Sequence, residues 1–393
     1  MRMSRVVAAA AVCGALAMSS WSRAEMIVSD RTMEDLKEAE AAKLEQWRKE
    51  SAGESKRFTG GGKYTDPSGN EWKYGVTQPA NAEPGKKYPV FLGNTGWALS
   101  MRESQEKYPC YVMAVYAPPS VITPKEGGGG YVTPPAYKSI IAAGYKACID
   151  KALADNPGMD PSRVYVEGAS KFGATAWLAV YNYPDTFATV ICNVGGTDLC
   201  KALQVASRQI GVCLYYGVLD GGEVDFKKTP YGRTAPFIFK VLTEAGYHPM
   251  YVKYLHGDHH EYGFTDSPKN PEWNDFIRLR KWLFEQRKPA MDWPVINSPS
   301  AAAATVGKPF TYTIAAGNGP KSFGAVLTIE HAEDNTGKVK EPEPPLPKGL
   351  SLDPKTGILS GTPAEVGTFF IRLNAVNDKG TGITTLELTV KGE

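Results

Sequence analysis

The chain has 393 residues, 42% of them hydrophobic and 22% charged, with a formal net charge of +2. That length accommodates two or three domains with a large core, and the composition excludes a disordered or low-complexity chain. A charge this close to neutral gives no footing for nucleic acid as a partner.

Residues 1–24 read as a secretory signal. Arg2 and Arg5 precede an apolar run from Val6 to Met18, and Ser22-Arg23-Ala24 offers a small-x-small cleavage site. The run is too short to span a bilayer, and no later stretch is long and apolar enough. Cleavage would remove three arginines and no acids, taking the net charge from +2 to −1. The expected location is secreted or periplasmic. Cys13 would leave with the signal; Cys110, Cys148, Cys192, Cys200 and Cys213 remain. Their number is odd and no C-x-x-C occurs, so most are expected to be buried structural thiols, with no metal or redox centre.

Residues 25–56 are expected to form a helical lead-in, with Met33, Leu36, Leu44 and Trp47 as the apolar positions of one amphipathic helix. Phe58–Pro79 reads as a hairpin, because Asp66-Pro67-Ser68-Gly69-Asn70 is turn chemistry between two candidate strands. From Lys86 strands and helices alternate. Strands are expected at Tyr88–Leu92, Tyr111–Tyr116, Thr189–Val194, Gly211–Val218 and Pro249–Leu255. Helices are expected at Tyr137–Ala154, Asp198–Arg208, Thr234–Ala245 and Trp273–Arg287. Regular alternation implies right-handed crossovers and a mostly parallel sheet with helices on both faces. Sites in such sheets form at the carboxyl ends of the strands.

Around residues 289–299 the composition shifts to Pro, Ser and Ala, which reads as a linker. Residues 300–393 show short β-rich runs and no helix pattern: Phe310–Ile314, Leu350–Leu352, Ile358–Ser360, Phe369–Ala375 and Gly382–Val390. This predicts a small all-β sandwich.

The chemistry centres on Arg163–Trp177, RVYVEGASKFGATAW. A β-branched run enters Gly168-Ala169-Ser170-Lys171-Phe172-Gly173, and a helix-forming segment follows. This reads as strand, sharp turn and helix with Ser170 at the apex, the logic of the nucleophile elbow G-x-S-x-G. Phe172 stands where that motif has its last glycine. The plainer alternative is a serine that caps a helix. A nucleophilic serine needs a base, and the base needs an orienting acid. Asp220 follows the strand Gly211–Val218, and His256, His259 and His260 share the loop after the strand Pro249–Leu255. The order Ser170, Asp220, His259 is the hydrolase order. Within that reading His260 is the alternative base, and Glu223, Asp225 or Asp258 can replace Asp220 as the acid. The histidine run beside Asp258 also invites a metal reading, but no helical spacing sets these side chains on one face. No cofactor or metal is expected.

These residues resemble the secreted esterase and poly(hydroxyalkanoate)-depolymerase-like branch of the α/β-hydrolases, and are similar to bacterial serine peptidases and carbohydrate esterases. The resemblance spans residues 57–288 and includes Pro84-Gly85-Lys86-Lys87-Tyr88-Pro89, Lys107-Tyr108-Pro109-Cys110 and Tyr183-Pro184-Asp185. It implies an α/β-hydrolase domain that cleaves esters through Ser170, Asp220 and His259. It also implies an oxyanion hole formed by the backbone N–H of Lys171 and one from Asn94 or Thr95. In that early loop Gly93-Asn94 replaces the family's His-Gly, and a backbone donor survives such a change. The implied substrate is an ester-bearing small molecule or polymer, polysaccharides included, or a peptide cleaved by the same residues. A catalytically weak fold that binds polymer or surface is the competing expectation. The tail resembles the Ig-like module of bacterial secreted proteins through Val306-Gly307-Lys308-Pro309-Phe310, Leu346-Pro347-Lys348-Gly349-Leu350 and Gly357-Ile358-Leu359-Ser360-Gly361-Thr362-Pro363. That resemblance implies a spacer or accessory role.

Overall fold

The computed structural model describes residues 24–29, 31–53, 60–93, 96–124, 126, 131–132, 137–194, 197, 201–202, 205–206, 208–219, 235–244, 246–257, 275–288, 292–327 and 346–392. The elements begin with strand β1 (Glu25–Ser29) and helix α1 (Met33–Gly53). The hairpin β2 (Gly60–Thr65) and β3 (Glu71–Thr77) follows. Next come β4 (Tyr88–Leu92), the short helices α2 (Trp97–Ser100) and α3 (Arg102–Lys107), and β5 (Tyr111–Tyr116). Two-residue strands β6 (Thr123–Pro124) and β7 (Tyr131–Val132) pair with each other. Helix α4 (Tyr137–Asp155), strand β8 (Met159–Ala169) and helix α5 (Lys171–Asn182) lead to β9 (Thr189–Asn193) and β10 (Gly211–Gly217). Helix α6 (Ala235–Glu244), β11 (Met250–Tyr254) and α7 (Asp275–Glu285) close the first domain.

One sheet runs β1-β11-β10-β9-β8-β4-β5-β3-β2. Every neighbouring pair from β1 to β5 is parallel; the hairpin β2–β3 joins antiparallel at one edge. Strands β4, β9 and β10 are buried along their whole length because helices cover both faces. Val164 and Val166 of β8 pack with Ile141, Ala142, Trp177 and Val180 of α4 and α5. Tyr165, between those valines, faces the other way, towards Leu99 of α2 and Leu279, Trp282 and Leu283 of α7.

The hairpin turn forms as expected. Gly69 adopts φ 85°, its N–H donates to the Asp66 carbonyl at 2.9 Å, and the Trp72 indole donates to Asp66 Oδ2 at 3.0 Å. The lead-in differs from the expectation of helix alone. Its first residues form β1, which extends the main sheet alongside β11. A five-residue strand offers too little apolar periodicity to stand out in sequence. Helix α1 starts at a reciprocal cap: Thr32 N–H donates to Asp35 Oδ2 at 3.0 Å, and Asp35 N–H to Thr32 Oγ1 at 3.1 Å. Cys110, Cys148, Cys192 and Cys213 are buried. No described helix is long and apolar enough to cross a membrane.

The second domain packs two sheets. The strands are β12 (Ala301–Thr305), β13 (Phe310–Thr313), β14 (Ser322–Leu327), β15 (Leu350–Asp353), β16 (Ile358–Gly361), β17 (Gly367–Asn377) and β18 (Gly380–Lys391). One sheet runs β12-β18-β17-β14 and the other β13-β16-β15. Ile314, Leu359, Ile371, Leu373, Leu386 and Leu388 fill the space between them.

The two domains meet at the carboxyl end of α5 and at the β2–β3 turn. Arg372 of β17 lies over the Tyr181 ring at 5.7 Å and donates to its hydroxyl. Arg208 Nη2 donates to the Thr381 carbonyl at 2.9 Å. Beside it, burial pushes the Asp185 carboxyl up to about 6 against the opposing pull of Arg208 and Lys288. Burial, with Asp66 repelling in the same sense, raises Glu387 of β18 to about 7.

Candidate active site

The longest strand of the main sheet, β8, carries Ser170 at its carboxyl end, where the chain turns directly into α5. Ser170 adopts φ 53° and ψ −120°, a conformation that a non-glycine residue holds only when its surroundings enforce it. Those surroundings are visible. Ser170 N–H donates to the Asn193 carbonyl of β9 at 2.9 Å, and the Ser170 carbonyl accepts from Gly173 and Ala174 at 3.0 and 3.3 Å. Gly168 permits the turn, because a Cβ there would lie 2.1 Å from the Phe172 carbonyl oxygen. Phe172, the residue that breaks the motif, is half-buried and packs against the core cluster beneath α5. Ser170 makes no side-chain capping hydrogen bond to α5. The hydroxyl is therefore not serving as a helix cap, the plainer role its position allows.

The helix start favours negative charge. The first N–H groups of a helix have no partner within it, and the dipole adds a partial positive charge there. Lys171 is the first residue of α5, so its backbone N–H belongs to that set.

The strands that lead to the acid and base loops leave the sheet together. Gly217 of β10 lies opposite Tyr254 of β11, and beyond them Val218 N–H donates to the Tyr254 carbonyl at 2.9 Å. Leu219 N–H then donates to the Gly257 carbonyl at 2.7 Å. Leu219 directly precedes Asp220, and Gly257 lies two residues before His259. Asn94, Thr95, Asp220, His259 and His260 themselves lie outside the described residues, as do Glu223, Asp225 and Asp258.

Two further residues belong to this corner. Glu167, on β8 three residues before the serine, is only 3% exposed. A Cβ on Gly93 would lie 2.5 Å from its Oε2 and 2.7 Å from its Cβ, so the carboxylate occupies the space that this glycine leaves at the end of β4. An acid inside the β-branched run VYVEGA was the sequence signal for it. Asn193 is the second, 1% exposed and followed by Val194 at φ 43°, another enforced backbone beside the elbow. Nothing in the linear order marks Asn193, whose part is played by its backbone carbonyl.

Residues 293–391 match the He_PIG family, described as Putative Ig domain. No curated protein matches the chain. Among solved structures it is similar to a thermostable esterase, with 24% identity, TM-score 0.42, and coverage of 59% of this chain and 64% of that one. The siderophore hydrolase EstA from Aspergillus nidulans is 16% identical with TM-score 0.39, over 58% of this chain and 95% of that one. Dipeptidyl peptidase 4 of Porphyromonas gingivalis is 14% identical with TM-score 0.37, over 58% of this chain and 36% of that one. The chain thus spans less than two thirds of the esterase's length. The strand order, the single inversion of β4 and β5 relative to the chain, and the elbow after β8 make the first domain an α/β-hydrolase fold, followed by an all-β Ig-like domain.

Proposed function

We propose that the protein is a secreted serine hydrolase that cleaves a carboxylic ester by acyl transfer through Ser170. The observation that carries this reading is the enforced φ of 53° at Ser170, on the carboxyl end of the central strand, with the hydroxyl not used to cap α5. Backbone strain of this kind costs about 1–3 kcal/mol and clusters at functional sites, which supports a role for this hydroxyl.

In this reading Ser170 Oγ attacks the ester carbonyl while His259 takes its proton. The tetrahedral oxyanion is held by the backbone N–H of Lys171 and one from Asn94 or Thr95. His259 then returns the proton to the departing alcohol. Water, deprotonated by the same imidazole, releases the acid and regenerates the serine. Asp220 orients the imidazole and stabilises its charged form. The Leu219–Gly257 hydrogen bond supports this pairing, because it starts both loops from one point. His260 is the alternative base. The chemistry needs no cofactor. The signal-like leader supports export, and β1 begins at Glu25, directly after the expected cut.

The test is Ser170→Ala against a panel of acyl esters, acetylated and feruloylated sugars, polyesters and peptides. Loss of both ester turnover and fluorophosphonate labelling is expected. Turnover that survives the substitution would sink the assignment, and turnover of peptides alone would move the substrate class.

A further inference from the structure

We propose that β1 and α1 form a strap that holds the two flanks of the site in register, with Trp47 as its positioning residue on the oxyanion side; this rests on the serine-hydrolase reading above. The strap has two anchors. At one end β1 lies along β11, and the Ser29 carbonyl accepts from Leu255 N–H at 2.9 Å, where the chain departs towards His259. At the other end α1 grips the segment that follows Asn94 and Thr95. Trp47 Nε1 donates to Ser100 Oγ at 2.9 Å, and Ser100 Oγ donates to the Trp97 carbonyl at 2.6 Å. The two indoles meet edge to face at 6.2 Å. Lys43 Nζ pairs with Glu103 at 2.9 Å, and Arg102 N–H donates to Glu50 Oε2 at 3.0 Å.

The dimensions fit a strap. Strands β11 and β4 are separated by β10, β9 and β8, roughly 19 Å across the sheet. Helix α1 has 21 residues and so runs about 30 Å, enough to cross that interval. Its named contacts fall on α2 and α3, while β1 pairs with β11 on the other flank. The contacts also act on backbone: Trp47 fixes Ser100, Ser100 fixes the Trp97 carbonyl, and Glu50 takes the Arg102 N–H. Such contacts hold the path of the chain behind the oxyanion loop rather than shape a pocket. A donor displaced by a fraction of an ångström loses transition-state stabilisation while leaving the bound substrate little changed.

The experiment pairs steady-state kinetics on a short-chain ester with amide hydrogen exchange in the full chain. Trp47→Ala should lower kcat about ten- to a hundredfold with KM within about twofold, and speed exchange in residues 96–107. Trp47→Phe keeps the ring and loses the indole N–H, so it should fall between wild type and alanine. Ile27→Ala, which loosens β1, should speed exchange in residues 255–257. An unchanged kcat in Trp47→Ala overturns the proposal. So does a rise in KM at constant kcat, which would place the indole on substrate. Exchange that rises in α1 but not in residues 96–107 also overturns it. If wild type neither turns over an ester nor labels at Ser170, the hydrolase reading fails, and exchange in residues 96–107 alone decides the strap.

Discussion

The two domains solve the problem of burying a sheet differently. In the hydrolase domain β9 and β10 are buried at every residue, because helices cover both faces. In the Ig-like domain β13 and β15 alternate between sheltered and exposed positions, with one face on the core and the other on solvent. The first design leaves strand ends and their loops as the place for polar chemistry, and the elbow stands there. The second leaves little polar work except at its seam with the first, where Arg372, Thr381 and Glu387 lie. The elbow and the sandwich core are thus segregated, one to each domain.

Four substitutions and one pH series test this segregation. Ser170→Ala should remove about 10⁴–10⁶ of kcat while leaving both thermal transitions in place, as followed by calorimetry and ester turnover. Any loss of the second transition would show that the elbow and the sandwich are coupled. Leu359 is fully buried in the Ig-like core, and Leu359→Ala should cost that domain about 2–5 kcal/mol. Ester turnover below the new melting temperature should stay at the wild-type rate. Gly168→Ala sets a methyl against the Phe172 carbonyl and should cost the hydrolase domain about 1–3 kcal/mol, with activity lost and the sandwich transition unmoved.

The smallest effect is at the seam. Glu387 is raised to about 7 and Asp185 to about 6, so the folded seam holds protons that the unfolded chain has already released. Their penalty is absent below about pH 4, where both states are protonated, and grows as pH climbs through 6 and 7. Stability of the docked pair should therefore fall from pH 5 to pH 8 by on the order of 1–3 kcal/mol. Glu387→Gln should flatten the upper part of that slope in melts across the range. A slope that is unchanged in this variant would remove Glu387 as its source.

Much of this was legible in the chain itself. Tyr88–Leu92 and Tyr111–Tyr116 form strands with the expected bounds, because short β-branched and aromatic runs flanked by turn residues have few alternatives. The elbow was readable because its small residues are a steric requirement, and the clash at Gly168 shows which one. What escaped was long-range. β1 gains its identity only from β11, some two hundred residues away, and Ser322–Leu327 only from β17. Glu167 could be seen as an acid in a strand, but its place under Gly93 is set by the pairing of β4 with β8. Trp47 looked like one apolar position of a helix. Its hydrogen bond to Ser100 depends on where that helix lands.

Helix α5 joins the two regions. Its first residue follows the serine, and its last turn presents Tyr181 to Arg372 of the sandwich. Twelve residues make it about 18 Å long. This rod therefore sets the elbow one helix length away from the Tyr181–Arg372 contact between the domains.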